Sequence, residues 1–520
     1  MQPSSSEVPN LANGVSRQVY IISDLHLGGV YAQSSDPEDR GFRICTQGER
    51  VAELVEAVAA KPAGGPRIEL VVNGDAVDFL AEREEAPPYW SAFTADSAAA
   101  AKKLEAIVAR DRRLFDAFGR LLENGHRLTL LLGNHDIELA LPQVRRRLKE
   151  LIGVEGRHDY EFIHDGEAYA VGDVLIEHGN RYDSFNVVTQ DALRRIRSLA
   201  SRNQPVPAQY AFDPPAGSKM VATVINPIKD VYRFVDLLKP ETGAVVPMLL
   251  ALEPGYRSIL SRVATLALAA SKHRLAGAAL PSFGGDISSE MSGLDGFGGD
   301  MGGTSFGSDI SSAGPAGNDS LDRVLAEALG ESPRAFLDAL EPEPASYAVA
   351  AIGEDISSFS AVDSSLGLIQ LLLGRKSAGV ERRLPALLKA LRAVQGDQSF
   401  DRGVETAKEY LDAARDLAKV GGFRCVVFGH THLAKKIDLG GGAWYLNSGT
   451  WADLIQFPVE LLAGTETQAL GLVREFVDDM QKGKLKRWTR FKPTYVRIDL
   501  DGDDRMTAAE LCDYTGPDGV

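Results

Sequence analysis

The sequence predicts an α/β protein carrying a large, mainly helical insertion. Three features lead there: apolar runs of strand length that each end in a polar cluster, amphipathic helical stretches between the first of these runs, and a change to helical patterning from 186 to 419 before the strand-and-loop pattern resumes. At 520 residues the chain exceeds one ordinary core. It divides into a flexible N-terminus (1–18), a first α/β part (19–185), the insertion (186–419) and a second α/β part (420–520).

Residues 19–27, VYIISDLHL, read as a buried strand running into a polar loop. ERVAELVEAVAA at 49–60 sets Val51, Leu54, Val55 and Val58 on one helical face, and KPAGGPR breaks the chain before an apolar strand at 68–73. A second unit follows: Leu104, Ile107, Val108, Phe115, Phe118 and Leu122 keep helical spacing until Asn124-Gly125 stops the helix ahead of a strand at 127–132. Stretches near 160–164, 167–171 and 174–178 predict three antiparallel strands, with Asp165-Gly166 and Gly172-Asp173 as turns.

The insertion holds helical segments, including 366–373 and 384–394. Within it, 281–320 is dominated by Gly, Ser and Asp; SFGGDISS at 282 recurs as SFGSDISS at 305, with a fainter GEDISS at 353. The period of a calcium-binding nonapeptide repeat is absent, so a flexible loop is predicted. A helix at 404–420 closes at Gly421-Gly422, and FRCVVFGHTH returns to the strand-then-loop pattern.

Apolar and charged fractions of 44% and 25% are those of a globular protein, and no apolar run approaches the roughly 18 residues of a membrane span. The polar start, MQPSSSEVPNLANGVSRQ, lacks the pattern of a secretory signal. Cys45, Cys425 and Cys512 show no paired spacing and read as buried free thiols, so a cytoplasmic location is expected. A net charge of −16 argues against coating nucleic acid or anionic membrane. Lys482, Lys484, Lys486, Arg487, Arg490 and Lys492, interleaved with Trp488 and Phe491, are the candidate for peripheral membrane or phosphate contact; the alternative is a solvated turn.

Five motifs carry the chemistry: Ser23-Asp24-Leu25-His26, Asn73-Gly74-Asp75-Ala76-Val77-Asp78, Gly133-Asn134-His135-Asp136, Glu177-His178-Gly179-Asn180 and Gly429-His430-Thr431-His432. Carboxyl ends of strands converge in open α/β sheets, so distant segments can deliver donors to one rim. Asp-x-His and His-x-His on extended backbone put both members on one side, facing one metal cluster. Five of the chain's nine histidines fall in these motifs, which chance placement would rarely produce. His126, His158, His164 and His273 lack such context and read as surface or turn residues.

With these motifs in this order, the sequence resembles the calcineurin-like metallophosphoesterase superfamily over 19–183 and 420–500. The resemblance implies two packed mixed sheets flanked by helices, an αββα sandwich. It implies Asp24, His26 and His432 as ligands of one metal, Asn134, His178 and His430 of a second, and Asp75 bridging. His135 would be the catalytic histidine at the leaving group, Asp78 its orienting carboxylate, and Asp136 a fixer of its loop. Two divalent ions against two carboxylates would leave an electropositive pocket, supply hydroxide near neutral pH and clamp a phosphoryl group. The oxygen and nitrogen ligand set, without thiolate, suits Mn, Fe, Zn or Co.

The implied activity is hydrolysis of a phosphate mono- or diester or a pyrophosphate in a small-molecule or lipid-linked substrate. Ser23-Asp24-Leu25-His26-Leu27-Gly28 is similar to the start of the UDP-2,3-diacylglucosamine hydrolases, but those enzymes commonly carry Arg where His135 stands. Val77-Asp78-Phe79-Leu80 departs from the protein phosphatase pattern, and the acidity offers no duplex-binding face. A metal-stabilised scaffold is the non-catalytic alternative. The insertion is expected either to cap the site or to serve as a remote oligomerisation domain. Asp499, Asp501, Asp503 and Glu510 mimic a calcium loop, yet Asp504 stands where such loops need Gly, so an acidic turn is expected. Asn447-Ser448-Gly449-Thr450 is expected to support the His430/His432 loop.

Overall fold

Alternation along β1 (Arg17–Ile22) sets the layers of the computed structural model: Tyr20 and Ile22 enter one apolar cluster, and Val19 and Ile21 another on the opposite face. The structure describes residues 15–30, 42–62, 64–85, 89–183, 185–229, 237, 380–395, 400–481 and 484–520. The Gly/Ser/Asp stretch 281–320, its repeats, the segment 366–373, His273 and most of the predicted flexible N-terminus lie outside them.

The strands are β1, β2 (Arg67–Asn73), β3 (Arg127–Leu131), β4 (Tyr160–Ile163), β5 (Tyr169–Val171), β6 (Val174–Ile176), β7 (Cys425–Phe428), β8 (Lys435–Gly440), β9 (Ala443–Asn447), β10 (Leu454–Ile455), β11 (Thr489–Arg490), β12 (Thr494–Leu500) and β13 (Met506–Asp513). One sheet has the order β13-β12-β1-β2-β3-β4, and a second β5-β6-β7-β9-β8; β10 and β11 form a separate pair. The runs β1-β2-β3-β4 and β6-β7-β9 are parallel, and antiparallel strands flank both. The fold is therefore mixed α/β with two principal sheets.

Helices α1 (Gly48–Ala59), α2 (Ser97–Arg110), α3 (Arg112–Glu123), α4 (Pro142–Ile152) and α5 (Gln190–Ala200) bury their apolar faces with the Tyr20/Ile22 side of the first sheet. Leu54, Val55, Val58 and Phe118 are at most 2% exposed, and each such side chain contributes roughly 1.5–3 kcal/mol of burial. The opposite face shares a core with the second sheet through Val71, Leu131, Val174, Ile176, Val427 and Leu446. Glu69, buried between the sheets, pairs with the Arg17 guanidinium and accepts from Thr129 Oγ1 (2.6 Å) and Tyr169 Oη (2.8 Å), which satisfies its buried charge.

Helix α6 (Ala216–Met220) runs through a π-helical stretch (Val221–Ile225) into α7 (Asn226–Lys229), whose Asn226 Nδ2 donates to Leu80 O at 2.6 Å. Two helices lie further on, α8 (Val380–Gln395) and α9 (Lys408–Gly421), the latter packing Tyr410 and Ala414 against Phe428 and Tyr445 of the second sheet. Last come α10 (Val459–Leu462) and α11 (Glu466–Gln481). Two compact units result: Met1–Lys239 with Gln398–Gln456 and Lys484–Val520, and Pro240–Asp397 with Phe457–Gly483.

Several expectations change. The stretch 160–164 is not part of an antiparallel meander: β4 pairs parallel with β3, and only β5 and β6 form a hairpin, in the other sheet. Short alternating strands name no partner by themselves, and the α4 crossover delivers β4 beside β3. The single helix expected from Leu104 to Leu122 is two, broken at Asp111, whose carboxylate pairs with Arg43. Residues 186–229 and 400–419, assigned to the insertion, belong to the unit holding both sheets; 457–483, assigned to the second α/β part, joins the other unit. There Arg392 of α8 donates to Leu461 O (3.0 Å) and Gly464 O (2.6 Å), and Phe457 stacks edge-on to Phe476. His126, expected at the surface or in a turn, directly follows the turn at Asn124-Gly125 and is buried, with Nε2 3.2 Å from Lys61 O, and Cys512 is only half-buried. Among the described residues no helix is long and apolar enough to cross a membrane.

Candidate metal centre

Parallel pairing brings the carboxyl ends of adjacent strands together, and the five motif loops follow such ends. Asp24 and His26 follow β1, Asp75 and Asp78 follow β2, and Asn134, His135 and Asp136 follow β3; His178 follows β6, and His430 and His432 follow β7. Backbone bonds lace the loops: Asp24 N to Gly74 O (3.2 Å), His26 N to Asp75 O (2.9 Å), Phe79 N to His135 O (3.1 Å) and Gly429 N to His178 O (2.9 Å). Asn73 Nδ2 donates to Glu177 O and His178 Nδ1 to Asn73 O, both at 2.8 Å, tying the sheets at this rim. Gly133 is required because a Cβ there would collide with the Asp75 carboxylate.

Three overlapping donor groups form among the described residues, Asp24-His26-His432, His26-Asp75-His135 and Asp75-His178-His430, each with its ligand atoms within 4.8 Å of one another. In the first, His26 Nε2 lies 2.9 Å from His432 Nε2, and Asp24 Oδ1 lies 3.4 Å from the latter. Asp75 Oδ2 stands 3.7 Å from His26 Nε2 and 3.1 Å from His178 Nε2, so one carboxylate oxygen faces the Asp24-His26-His432 and the Asp75-His178-His430 groups. Asn134 Nδ2 donates to Asn186 Oδ1 at 3.4 Å.

Among the described residues seven non-glycine positions have positive φ, and five of them are predicted ligands: Asp24 (54°), His26 (45°), Asp75 (50°), His430 (66°) and His432 (62°). Each such backbone costs on the order of 1 kcal/mol and persists only where its surroundings over-determine it. Left-handed backbone at Asp24, His26, His430 and His432 replaces the extended backbone expected of the Asp-x-His and His-x-His pairs.

The electrostatics of this pocket favour positive charge. Burial raises the pKa of Asp24, with the neighbouring Asp75 carboxylate adding to it against His178 and His26. Burial also presses Asp75 upward, but His178 and His135 hold it well below its ordinary value. Burial alone would lower His178; Asp75 and then Asp24 carry it up to about 10.

The residues present fit divalent cations. A carbonyl only accepts, so His178 Nδ1 carries the proton it shares with Asn73, and in the neutral ring Nε2 offers a lone pair. Asn134 Oδ1 is buried without a hydrogen-bond partner, a costly state that a cation would relieve, and His178 Nε2 faces the Asp75 carboxylate at 3.1 Å. Buried imidazoles and carboxylates without thiolate make these groups able to hold metal ions.

Asp78 holds two rings, with Oδ2 3.0 Å from His135 Nδ1 and 3.1 Å from His26 Nδ1 while Oδ1 accepts from Ala81 N. Burial works against its charge, but His135 and His26 keep its pKa far below the carboxylate range. Burial likewise lowers His135, and Asp78 and Asp75 lift it to about 9. At 16% side-chain exposure against 2% for His26, His135 is the ring that an incoming molecule would meet. Asp136 accepts from Gly133 N (2.7 Å) and Ala76 N (2.9 Å), bonds that fix the loop.

Sequence reasoning missed several neighbours. Asp183 Oδ2 lies 3.2 Å from His430 Nε2 and accepts from Asn186 Nδ2 at 2.7 Å, so Asp183 and Asn186 link His430 to Asn134. Lys229 is 1% exposed, its ammonium 5.6 Å from the Phe42 ring centre, and its charge bears on His135. Asp183 sits five residues after His178 and was within reach of a spacing argument; nothing near Lys229 signals it. Asn447 Nδ2 donates to Gly429 O (2.7 Å) and Thr450 Oγ1 to Asp24 O (2.8 Å), supporting the ligand loops as expected.

The acidic stretch at 499–510 is a β-hairpin: Asp501 Oδ1 accepts from Asp503 N and Arg505 N at 2.9 Å, and Glu510 meets Lys436. Of the basic stretch, Lys482 lies outside the described residues, Trp488 is buried, Phe491 is half-buried, and Lys484, Lys486, Arg487, Arg490 and Lys492 are exposed. No protein-family model, curated protein or solved structure matches this chain.

Proposed function

We infer that the chain is a dinuclear-metal-dependent phosphoesterase of the calcineurin-like kind. The carrying observation is Asp75 Oδ2, which stands between His26 and His178 and so relates the Asp24-His26-His432 and Asp75-His178-His430 groups through one carboxylate. The sharing of one core by two sheets, with helices on the outer face of each, supports the sandwich of that superfamily. Two divalent cations bound there would supply Lewis acidity, lowering the pKa of a water and neutralising phosphoryl oxygens.

The chain's own residues divide the remaining work. Asp78 fixes His135 through Nδ1 and leaves Nε2 to deliver a proton to the departing oxygen. Asp183 and Asn186 hold His430 and Asn134 in register. Lys229 adds a positive charge near His135, suited to an anionic substrate.

The test is hydrolysis of an aryl phosphodiester by full-length chain stripped with chelator and reloaded in turn with Mn, Fe, Zn or Co, with metal content measured alongside. Turnover that returns with about two metals per chain supports the reading. Two bound metals with no hydrolysis of phosphomonoesters, phosphodiesters or nucleotide pyrophosphates would favour the metal-stabilised scaffold.

A further inference from the structure

Between α4 and α5 lies a cleft of about 340 Å³ lined by Arg145, Arg194 and Arg197. We propose that it is an anion site taking a phosphate-class group, distinct from the histidine cluster.

The argument begins with charge. In a chain of net charge −16, three guanidiniums share this cleft with one carboxylate, Asp165. Partly buried arginines elsewhere in the same unit are paired: Arg17 with Glu69, Arg43 with Asp111, Arg110 with Glu82 and Arg127 with Glu161. Arg145 and Arg197 have no ion pair among the described residues. Arg145 Nη1 donates to Ala140 O (3.0 Å) and Arg197 Nη1 to His164 O (2.7 Å), contacts that orient each fork while spending one of five N–H donors. Arg197 Nε is buried without a hydrogen-bond partner, a cost that a ligand oxygen would remove.

The neighbours offer little relief. Asp165 Oδ1 is engaged by Glu167 N at 3.3 Å, and Asp191, 3.7 Å from Arg194, is exposed. Burial, and then the charge of Arg197, lowers the pKa of Arg145; His164 is lowered by burial and by both arginines. Paired guanidinium forks match the oxygen geometry of phosphate.

The cleft also has a defined place in the fold. His164 follows β4, the neighbour of β3, whose loop supplies Asn134 and His135; α5 begins just after the Asp183–Asn186 link. It therefore opens on the carboxyl-end rim, one strand outward from the cluster. Its ligand is either a free phosphate or a second phosphate on a molecule held at the centre.

The experiment is calorimetric titration of full-length chain with inorganic phosphate and pyrophosphate at low salt, metal-loaded and chelated. Chelated wild type is expected to bind, with affinity falling as salt rises. Arg145→Gln with Arg197→Gln should weaken binding at least tenfold, while Asp75→Asn leaves it unchanged. Arg145→Lys with Arg197→Lys keeps the charge but loses the forks; it should weaken binding severalfold, and decides the matter if the Gln pair does not fold. No binding by wild type, wild-type affinity in the arginine variants, or loss of binding in Asp75→Asn overturns the site. If the metal-loaded chain is active, comparing an aryl phosphodiester with and without a distal phosphate separates the two ligand sources: a loss in the Gln pair confined to the first marks a distal group, and no selective loss a free anion. Absence of all hydrolysis would refute the phosphoesterase reading and leave the titration intact.

Discussion

Replacing Asp78 by Asn removes a buried carboxylate that meets the Nδ1 atoms of His135 and His26 at 3.0 and 3.1 Å. The change is isosteric, so it alters charge and not volume. In the chelated protein Asp78 and Asp75 outweigh burial and lift His135 from an ordinary value near 6.5 to about 9. That difference corresponds to roughly 3 kcal/mol favouring the protonated ring. Asp78 acts ahead of Asp75, so it carries the larger share of that difference. Because the folded-state pKa is raised, this stabilisation is fully present below about pH 6.5 and is lost as pH rises through about 9.

Urea unfolding of chelated wild type and Asp78→Asn, at several pH values, reads the effect directly. The variant should be less stable by the larger share of that roughly 3 kcal/mol near pH 6, with the gap narrowing between pH 7 and 9.5. A gap of the same size at both ends would refute the coupling of Asp78 to His135, and with it the orienting role.

Asp75→Asn, which weakens the carboxylate facing both donor groups, should lower bound metal and turnover together; two tightly held metals with wild-type turnover would remove Asp75 from the centre. His135→Ala should retain its metals while turnover falls by roughly 10²- to 10⁴-fold, less for substrates with good leaving groups, and equal losses for good and poor ones would exclude proton donation. Burial raises Glu138 to about 7 despite the Thr94 N–H it accepts at 2.7 Å. Its charged form is therefore a burden that is absent below about pH 4.5 and complete above about pH 7, so Glu138→Gln should stabilise the protein by about 2 kcal/mol at pH 8 and by little at pH 4; denaturation midpoints at the two values check this.

The ligand loops are legible in the sequence because each joins a short apolar run to Asp, Asn or His, in four of the five beside a glycine, and parallel strands leave such loops on one rim. Asp78 is legible only in part: the resemblance implies a tie to His135, but the tie to His26 depends on how two loops meet. The partner of 160–163 is illegible, since four alternating residues fit either sheet equally well. The break at Asp111 is hidden because apolar spacing continues across it, and the decisive contact comes from Arg43, far away in the chain. Lys229 brings its charge to bear on His135 from a helix whose own sequence carries no sign of that destination. The division into units at 457 depends on Arg392 finding the carbonyls of Leu461 and Gly464, a pairing that no local pattern announces.

The left-handed backbone at Asp24, His26, Asp75, His430 and His432 places two independent filters on each of those positions. A replacement must donate to a cation, and it must also tolerate a conformation that Asp, Asn and His adopt more readily than other side chains. Valine or isoleucine would fail on the main chain before the question of donation arose. Asparagine passes the backbone filter and fails mainly as a charge, so Asp→Asn variants report on electrostatics with the loop shape preserved. Glycine would relax the backbone and abolish the donor, and so isolates the other half: a glycine variant that folds more stably than the chelated wild type would measure what the chain gives up to keep these loops ready for an ion.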